Sequence, residues 1–190
     1  MDLNSEKIAV IGGAGFVGSR LSARFDRDIL NYVICDINIA NRADKIIYLD
    51  VEDIKSLEQL KGASTIINLA AVHRDDVRPL SRYDDVNVQG AVNVCNSARK
   101  LSIKKIVFTS SVAIYGFAPI DTDESGEANY FNDYGRTKYL AEAVYKKWQA
   151  EDPLSRTLVI VRPTVIFGEG NRGNVYNLLK QISLRRFVMF

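Results

Sequence analysis

A chain of 190 residues that is 47% hydrophobic can bury one full core, with chain left over for the beginning of a second unit. Its 25 Lys and Arg nearly cancel 23 Asp and Glu, and a net charge of +2 gives no reason to expect a nucleic-acid or anionic-membrane partner. No apolar run approaches the roughly 20 residues that span a bilayer, and the polar start Met1–Lys7 lacks the pattern of a secretory signal, so a cytoplasmic location is expected.

Short β-branched runs alternate with longer segments of helical period, the pattern of β-α-β units and a parallel sheet. The expected strands are Ile8–Ile11, Tyr32–Cys35, Lys45–Leu49, Thr65–Leu69, Lys105–Thr109 and Thr157–Val161. Most are continuous apolar runs, as required when helices cover both faces of a sheet. Helices are expected over Gly15–Arg27, Ile54–Leu60, Tyr83–Leu101, Asp133–Ala150 and Asn174–Arg186.

Between the first strand and helix lies Gly12-Gly13-Ala14-Gly15-Phe16-Val17-Gly18. Glycines at 12, 15 and 18 permit a tight turn, close approach to a pyrophosphate, and packing of helix on strand. The helix start then offers free N–H groups and a partial positive charge to phosphates. Asp36 ends the second strand, where a carboxylate accepts hydrogen bonds from ribose hydroxyls and repels a 2′-phosphate, which favours NAD over NADP; Arg42 nearby is able to compensate. Asp50 and Val51 follow the third strand and address an adenine, or Asp50 is an ordinary helix cap.

The helix Tyr83–Leu101 carries apolar residues over about half its circumference, from Val88 and Ala91 to Ala98 and Leu101. That width fits either a helix-to-helix contact in a homodimer or a broadly buried helix. In the helix Asp133–Ala150, Leu140, Val144 and Trp148 recur every four residues and form an expected core stripe. Cys35 and Cys95 read as buried free thiols, and with His73 the lone histidine the sequence offers neither a metal site nor a disulfide framework. The chain stops on the apolar run Phe187–Phe190, which suggests a piece of something longer.

The chemistry concentrates in Tyr134-Gly135-Arg136-Thr137-Lys138, with Thr109-Ser110-Ser111 ending a strand upstream. Residues four apart on a helix share a face, so the Lys138 ammonium is expected beside the Tyr134 ring. A neighbouring cation favours the phenolate and is expected to lower the tyrosine's pKa from its usual value near ~10. Tyr134 then takes a proton from a sugar hydroxyl, while Ser111 hydrogen-bonds that oxygen and holds it in place.

These residues resemble the extended short-chain dehydrogenase/reductase family, in particular its NAD-dependent sugar-nucleotide epimerases and dehydratases of the UDP-glucose 4-epimerase type. The matching blocks are Gly12–Gly18, Asp36, Asp50-Val51, Asn68-Leu69-Ala70-Ala71, Asn87-Val88-Gln89-Gly90, Thr109–Gly116, Tyr134–Lys138 and Arg162-Pro163. The resemblance implies an α/β fold, a Rossmann-type doubly wound parallel sheet over residues 1–165, with 166–190 opening a substrate lobe that is largely missing. It implies NAD as cofactor, lined by Leu69, Ala70 and Ala71, anchored through Asn87, and contacted at the nicotinamide ribose by Lys138. It implies a sugar-nucleotide substrate, with a UDP-hexose expected, and places His73 facing cofactor or substrate and Asn174 at the diphosphate. A structural histidine and a helix cap are the competing readings of those two residues.

Two departures from the family narrow the reading. Family members that dehydrate sugars follow the active-site Ser or Thr with an acidic pair, but Ser111 is followed by Val112-Ala113, which moves no protons. The chemistry that remains is oxidation and re-reduction at one sugar carbon, with a 4-keto reductase and a non-catalytic NAD sensor as alternatives. Family members also continue well past residue 190, so a fragment that binds NAD and turns over little substrate is expected.

Overall fold

A computed structural model describes residues 6–39, 45–74 and 76–186. Six strands form one parallel sheet: β1 Ile8–Ile11, β2 Tyr32–Asp36, β3 Ile46–Tyr48, β4 Thr65–Asn68, β5 Lys105–Thr109 and β6 Thr157–Val161. Their spatial order is β3-β2-β1-β4-β5-β6, so the chain reverses direction across the sheet between β1 and β4. In an open α/β sheet that switch point, at the carboxyl ends of the strands, is where ligands bind. The Arg42 and Phe187–Phe190 readings fall outside the described residues.

Alternation along the strands sends Ala9 and Ile11 to one face and Val10 to the other. The first face joins Val33, Cys35, Ile66, Ile106 and Phe108 to helices α3 (Gly90–Lys100) and α4 (Asp133–Ala150), making the larger core. The second face packs Val10, Ile34 and Tyr32 against Phe25 of helix α1 (Phe16–Arg27). At β6 only the first face is filled: Leu158 and Ile160 pack inward, while Val159 and Val161 remain exposed.

Several expected elements are reshaped. The third strand is only Ile46–Tyr48. The segment expected to be helical from Ile54 is a 3₁₀ turn over Ser56–Leu60. The single long helix expected over Tyr83–Leu101 is a short helix α2 (Ser81–Tyr83), a π turn at Asp84–Gln89, and then α3. Local periodicity does not distinguish these, because the side-chain pattern continues through a π turn while the backbone takes in an extra residue. Asn93, Val94, Ser97 and Ala98 of α3 are all buried within the chain, so its wide face is that of a broadly buried helix.

The stripe of α4 is also shifted. Its buried residues are Gly135, Thr137, Lys138, Ala141, Glu142, Tyr145 and Trp148, with Val144 and Leu140 at the margin. Trp148 belongs to the stripe as expected, but two charged residues occupy positions that a hydrophobicity pattern assigns to solvent. The last helix, α5 (Asn174–Ser183), stops short of Arg186 and buries none of its residues. Among the described residues, no helix is long and apolar enough to cross a membrane.

Candidate active site

The glycine turn sits at the carboxyl end of β1. Gly12 has φ of 73°, a backbone conformation that a Cβ disfavours, and a methyl there would stand 2.7 Å from the Ala70 nitrogen. Gly12 therefore lets the end of β1 close against Ala70, in the segment Leu69–Ala71 that leaves β4. Gly15 caps α1 without a side-chain hydrogen bond, and Phe16 and Val17 form the first turn. The N–H groups of that turn have no intrahelical partners, as an anion-binding helix start requires. Gly18 is buried in α1 against the Gly13 backbone, where any side chain would collide.

Asp36 closes β2 with both carboxylate oxygens engaged: Oδ2 accepts from the Ala14 N–H at 2.9 Å and Oδ1 from the Asn38 N–H at 2.9 Å. The carboxylate is thus fixed beside the glycine turn, where an adenosine ribose bound in that turn would lie. The cradle of close-packed glycines and this carboxylate match the needs of a dinucleotide without a 2′-phosphate. Asp50 is a turn former, its Oδ1 accepting from Glu52 N–H at 2.9 Å, while Lys55 caps the 3₁₀ turn that follows. The helix-cap reading of Asp50 is corrected accordingly. Val51 is buried, and its carbonyl accepts from Asn93 Nδ2 at 2.8 Å.

Asn87, inside the π turn, knits three segments together. Its Oδ1 accepts from Val72 N–H at 2.8 Å, and its Nδ2 donates to Val72 O and to Thr137 Oγ1, each at 3.0 Å. The loop after β4 is therefore tied to the helix that carries Tyr134. Asn68, buried at the end of β4, adds a second tie by donating to the Tyr145 hydroxyl at 2.7 Å. His73 is exposed, its Nδ1 3.4 Å from Ala71 O. Asn174 is exposed at the start of α5, where the cap is Gly173, so the structure does not bear out its reading as a helix cap.

Ser111 ends the β5 segment in extended conformation and caps the 3₁₀ turn Val112–Tyr115, its hydroxyl accepting from Ala113 N–H at 3.1 Å. Asn132 caps α4 by accepting from Gly135 N–H at 2.8 Å. That cap brings Tyr134 into the first turn of α4, half-buried, and Gly135 lets the helix lie directly against Ala113. Burial pushes the Tyr134 hydroxyl up from its ordinary value, and a hydrogen bond with Ser111 offsets part of that rise. The sequence led us to expect a lowered value, held down by Lys138. Instead Lys138, 2% exposed, lays its ammonium 4.4 Å from the centroid of the Phe108 ring. Burial drops its pKa to about 7, against the opposing pull of Glu142. Desolvation thus dominates both groups of the pair.

Several neighbours of these residues carry no distinguishing signal in the hydrophobicity pattern. Thr137, Tyr145 and Glu142 look like unremarkable helix residues in the sequence, and Arg162 lay in a matching block without a role. A buried charged residue has no signature in a hydrophobicity pattern; the eight-residue step from Tyr134 to Glu142, which keeps one helix face, was the available signal.

The amino-acid sequence matches the NAD dependent epimerase/dehydratase family over residues 8–186. The chain belongs to that family. Among curated relatives it is 46% identical, over 97% of its length, to an N-acetyl-alpha-D-glucosaminyl-diphospho-ditrans,octacis-undecaprenol 4-epimerase of Escherichia coli O157:H7. It is 26% identical, over 94% of its length, to a UDP-glucose 4-epimerase of Vibrio cholerae. A UDP-glucose 4-epimerase of Brucella ovis, solved in complex with NAD, superposes with a TM-score of 0.75 at 26% identity, covering 83% of this chain. The chain spans 56%, 57% and 51% of these three proteins, so it corresponds to about half of each. The family is NAD dependent, which agrees with the glycine cradle and the Asp36 carboxylate.

Proposed function

We propose that the protein of which this chain forms the dinucleotide-binding part inverts the configuration at C4 of a diphosphate-linked hexose. The observation that supports this most is that Ser111 lies near enough to Tyr134 to oppose the rise of its hydroxyl pKa, with Ser111 and the start of the Tyr134 helix each fixed by a side-chain cap and Lys138 one turn further along. NAD, when bound at the glycine turn, supplies a reversible hydride acceptor for the sugar carbon.

The residues of the chain then have separate tasks. Ser111 donates a hydrogen bond to the C4 oxygen and fixes its position. Tyr134 takes the hydroxyl proton as the carbon is oxidised, and returns it when the carbon is reduced on its other face. The low pKa of Lys138 means that it changes protonation near neutral pH, suiting it to pass a proton toward the phenol during that cycle. Val112 and Ala113, which follow Ser111, carry no acid for water elimination, which favours epimerisation over dehydration.

The relatives name two carriers for the sugar. The 46% identical relative is named for a sugar on undecaprenyl diphosphate, and the 26% identical one for UDP-glucose. We favour N-acetylglucosamine on a diphosphate as the sugar, by analogy with the former, and retain His73 and Asn174 as proposed substrate contacts. The full-length protein, supplied with UDP-glucose, UDP-N-acetylglucosamine and polyprenyl-diphospho-N-acetylglucosamine, should form the 4-epimer of at least one without consuming added NADH. Stoichiometric NADH oxidation would instead identify a 4-keto reductase. Tyr134→Phe should abolish turnover while NAD binding persists; full turnover by that variant would refute the assigned proton path. The 190-residue chain alone is expected to bind NAD and turn over little substrate.

A further inference from the structure

The strongest charged cluster outside the proton-transfer residues lies immediately behind them. Glu142 is fully buried in α4, yet its two oxygens accept a fork from Arg162, from Nε at 2.8 Å and from Nη2 at 2.6 Å. Lys146 adds a contact at 3.2 Å from the solvent side. Burial by itself would raise the Glu142 carboxyl; Arg162, then Ser110 and Lys146, outweigh it and hold the group below its ordinary value. The Ser110 hydroxyl is buried and has no well-formed hydrogen bond, and it lies close enough to Glu142 to help hold the carboxylate.

Arg162 reaches further than this pair. Its Nη1 donates to the Glu124 carbonyl at 2.9 Å and to the Tyr115 hydroxyl, so it grips the loop that joins Ser111 to Tyr134. The backbone on either side of Arg162 accepts from the segment that carries the serine: Val161 O from Ser110 N–H at 2.7 Å, and Pro163 O from Val112 N–H at 3.2 Å. The Arg162 side chain thus contacts the 3₁₀ turn, the loop and α4, while the carbonyls of its two chain neighbours hold the end of the β5 segment. A buried ion pair contributes little net stability compared with an apolar replacement, so its position calls for another explanation. Glu142 lies one turn beyond Lys138 and is the charged group acting on that ammonium. The neighbours facing Glu142 are Lys138 and Lys146 of α4, Ser110 at the end of β5, and Arg162, with Tyr115 of the 3₁₀ turn behind the arginine.

We propose that the Glu142–Arg162 ion pair is a positioning device for the Ser111/Tyr134/Lys138 site: it clamps the helix bearing Tyr134 and Lys138 to the strand end bearing Ser111, and keeps a carboxylate facing Lys138. This rests on the proton-transfer reading above. Arg162 supplies the geometric half by joining α4 to the 3₁₀ turn and the loop, with the carbonyls of Val161 and Pro163 beside it bound to the segment that carries Ser111. Glu142 supplies the electrostatic half, since it opposes the loss of the Lys138 proton that burial promotes.

The test reads Lys138 directly and needs no substrate. The protein carrying NAD is labelled with ¹³C at the lysine ε-carbons and titrated by NMR, with Lys138→Ala identifying the resonance. In Glu142→Gln, the Lys138 midpoint should fall by about one pH unit, because the anion is lost and Arg162 is left uncompensated. NAD affinity should stay within about threefold, since Glu142 lies outside the glycine cradle. Glu142→Asp should restore part of the shift. A midpoint unchanged in Glu142→Gln, with only the melting temperature lowered, would mean a purely structural ion pair and would overturn the proposal. If Glu142→Gln does not fold, the unaltered protein decides: the Glu142 carboxyl carbon should show an inflection at the Lys138 midpoint, and a flat response there overturns the coupling. Should the full-length protein epimerise no sugar while the Lys138 shift appears, the reaction assignment fails and the coupling stands.

Discussion

Lys138→Met removes an ammonium that burial makes unfavourable, and the structure sets both the size and the pH dependence of the effect. Lys138 is 2% exposed, and its pKa falls from 10.5 to about 7 on folding. The unfolded chain therefore binds more protons than the folded one between those two values, so the wild-type protein gains stability as pH rises from 7 to 10.5. Below pH 7 the lysine is charged in both states and its desolvation cost is fully present. At pH 6 that cost is roughly 4–5 kcal/mol, at pH 8.5 about half as much, and by pH 10.5 close to zero. Methionine matches the unbranched stem and leaves little cavity. In urea unfolding of the NAD-free protein, Lys138→Met should accordingly be more stable than wild type by a few kcal/mol at pH 6. The two curves should converge as the pH approaches 10.5. The variant should also lose turnover in the full-length protein, a stability gain at the expense of function. A variant no more stable than wild type at pH 6, or an advantage independent of pH, would refute the reasoning.

Gly12→Ala places a methyl 2.7 Å from the Ala70 nitrogen at a residue with φ of 73°. The left-handed conformation and the overlap together should cost about 2–5 kcal/mol in urea unfolding and weaken NAD binding by calorimetry. Asp36→Ala removes the carboxylate fixed by the Ala14 N–H. NAD should bind about tenfold more weakly and NADP about tenfold more tightly, as a ribose partner and a phosphate-repelling charge are lost together; an unchanged preference would mean that discrimination lies elsewhere.

What the sequence made legible follows from which forces act locally. Strands β1, β2, β4, β5 and β6 stand within a residue of their expected bounds because continuous apolar runs mark the strands of a helix-covered parallel sheet, and at β6 the run persists although one of its faces is exposed. The glycine spacing and the Tyr134/Lys138 step are likewise local, and both sit where a strand-turn-helix or one helix face puts them. Features that depend on distant partners were not legible. Lys138 turns to Phe108, thirty residues earlier in the chain, and Glu142 is buried because Arg162 arrives from β6. A hydrophobicity pattern sends both charges to solvent, which is why the α4 stripe was expected on Leu140 and Val144. The π turn was hidden for a related reason, since residues 83–101 suit either helix geometry.

That π turn has a consequence for how this region tolerates change. The extra residue between Asp84 and Gln89 sets the angular phase between α2 and α3, and each residue of an α-helix advances that phase by about 100°. Asn87 reaches Val72 and Thr137 only at the present phase. A one-residue deletion here would heal the helix into regular α geometry while swinging the carboxamide away from the loop it holds. A point substitution at exposed Gln89 is absorbed cheaply, but the length of the stretch is fixed: the segment behaves as a spacer gauge, more tolerant of altered spelling than of altered count.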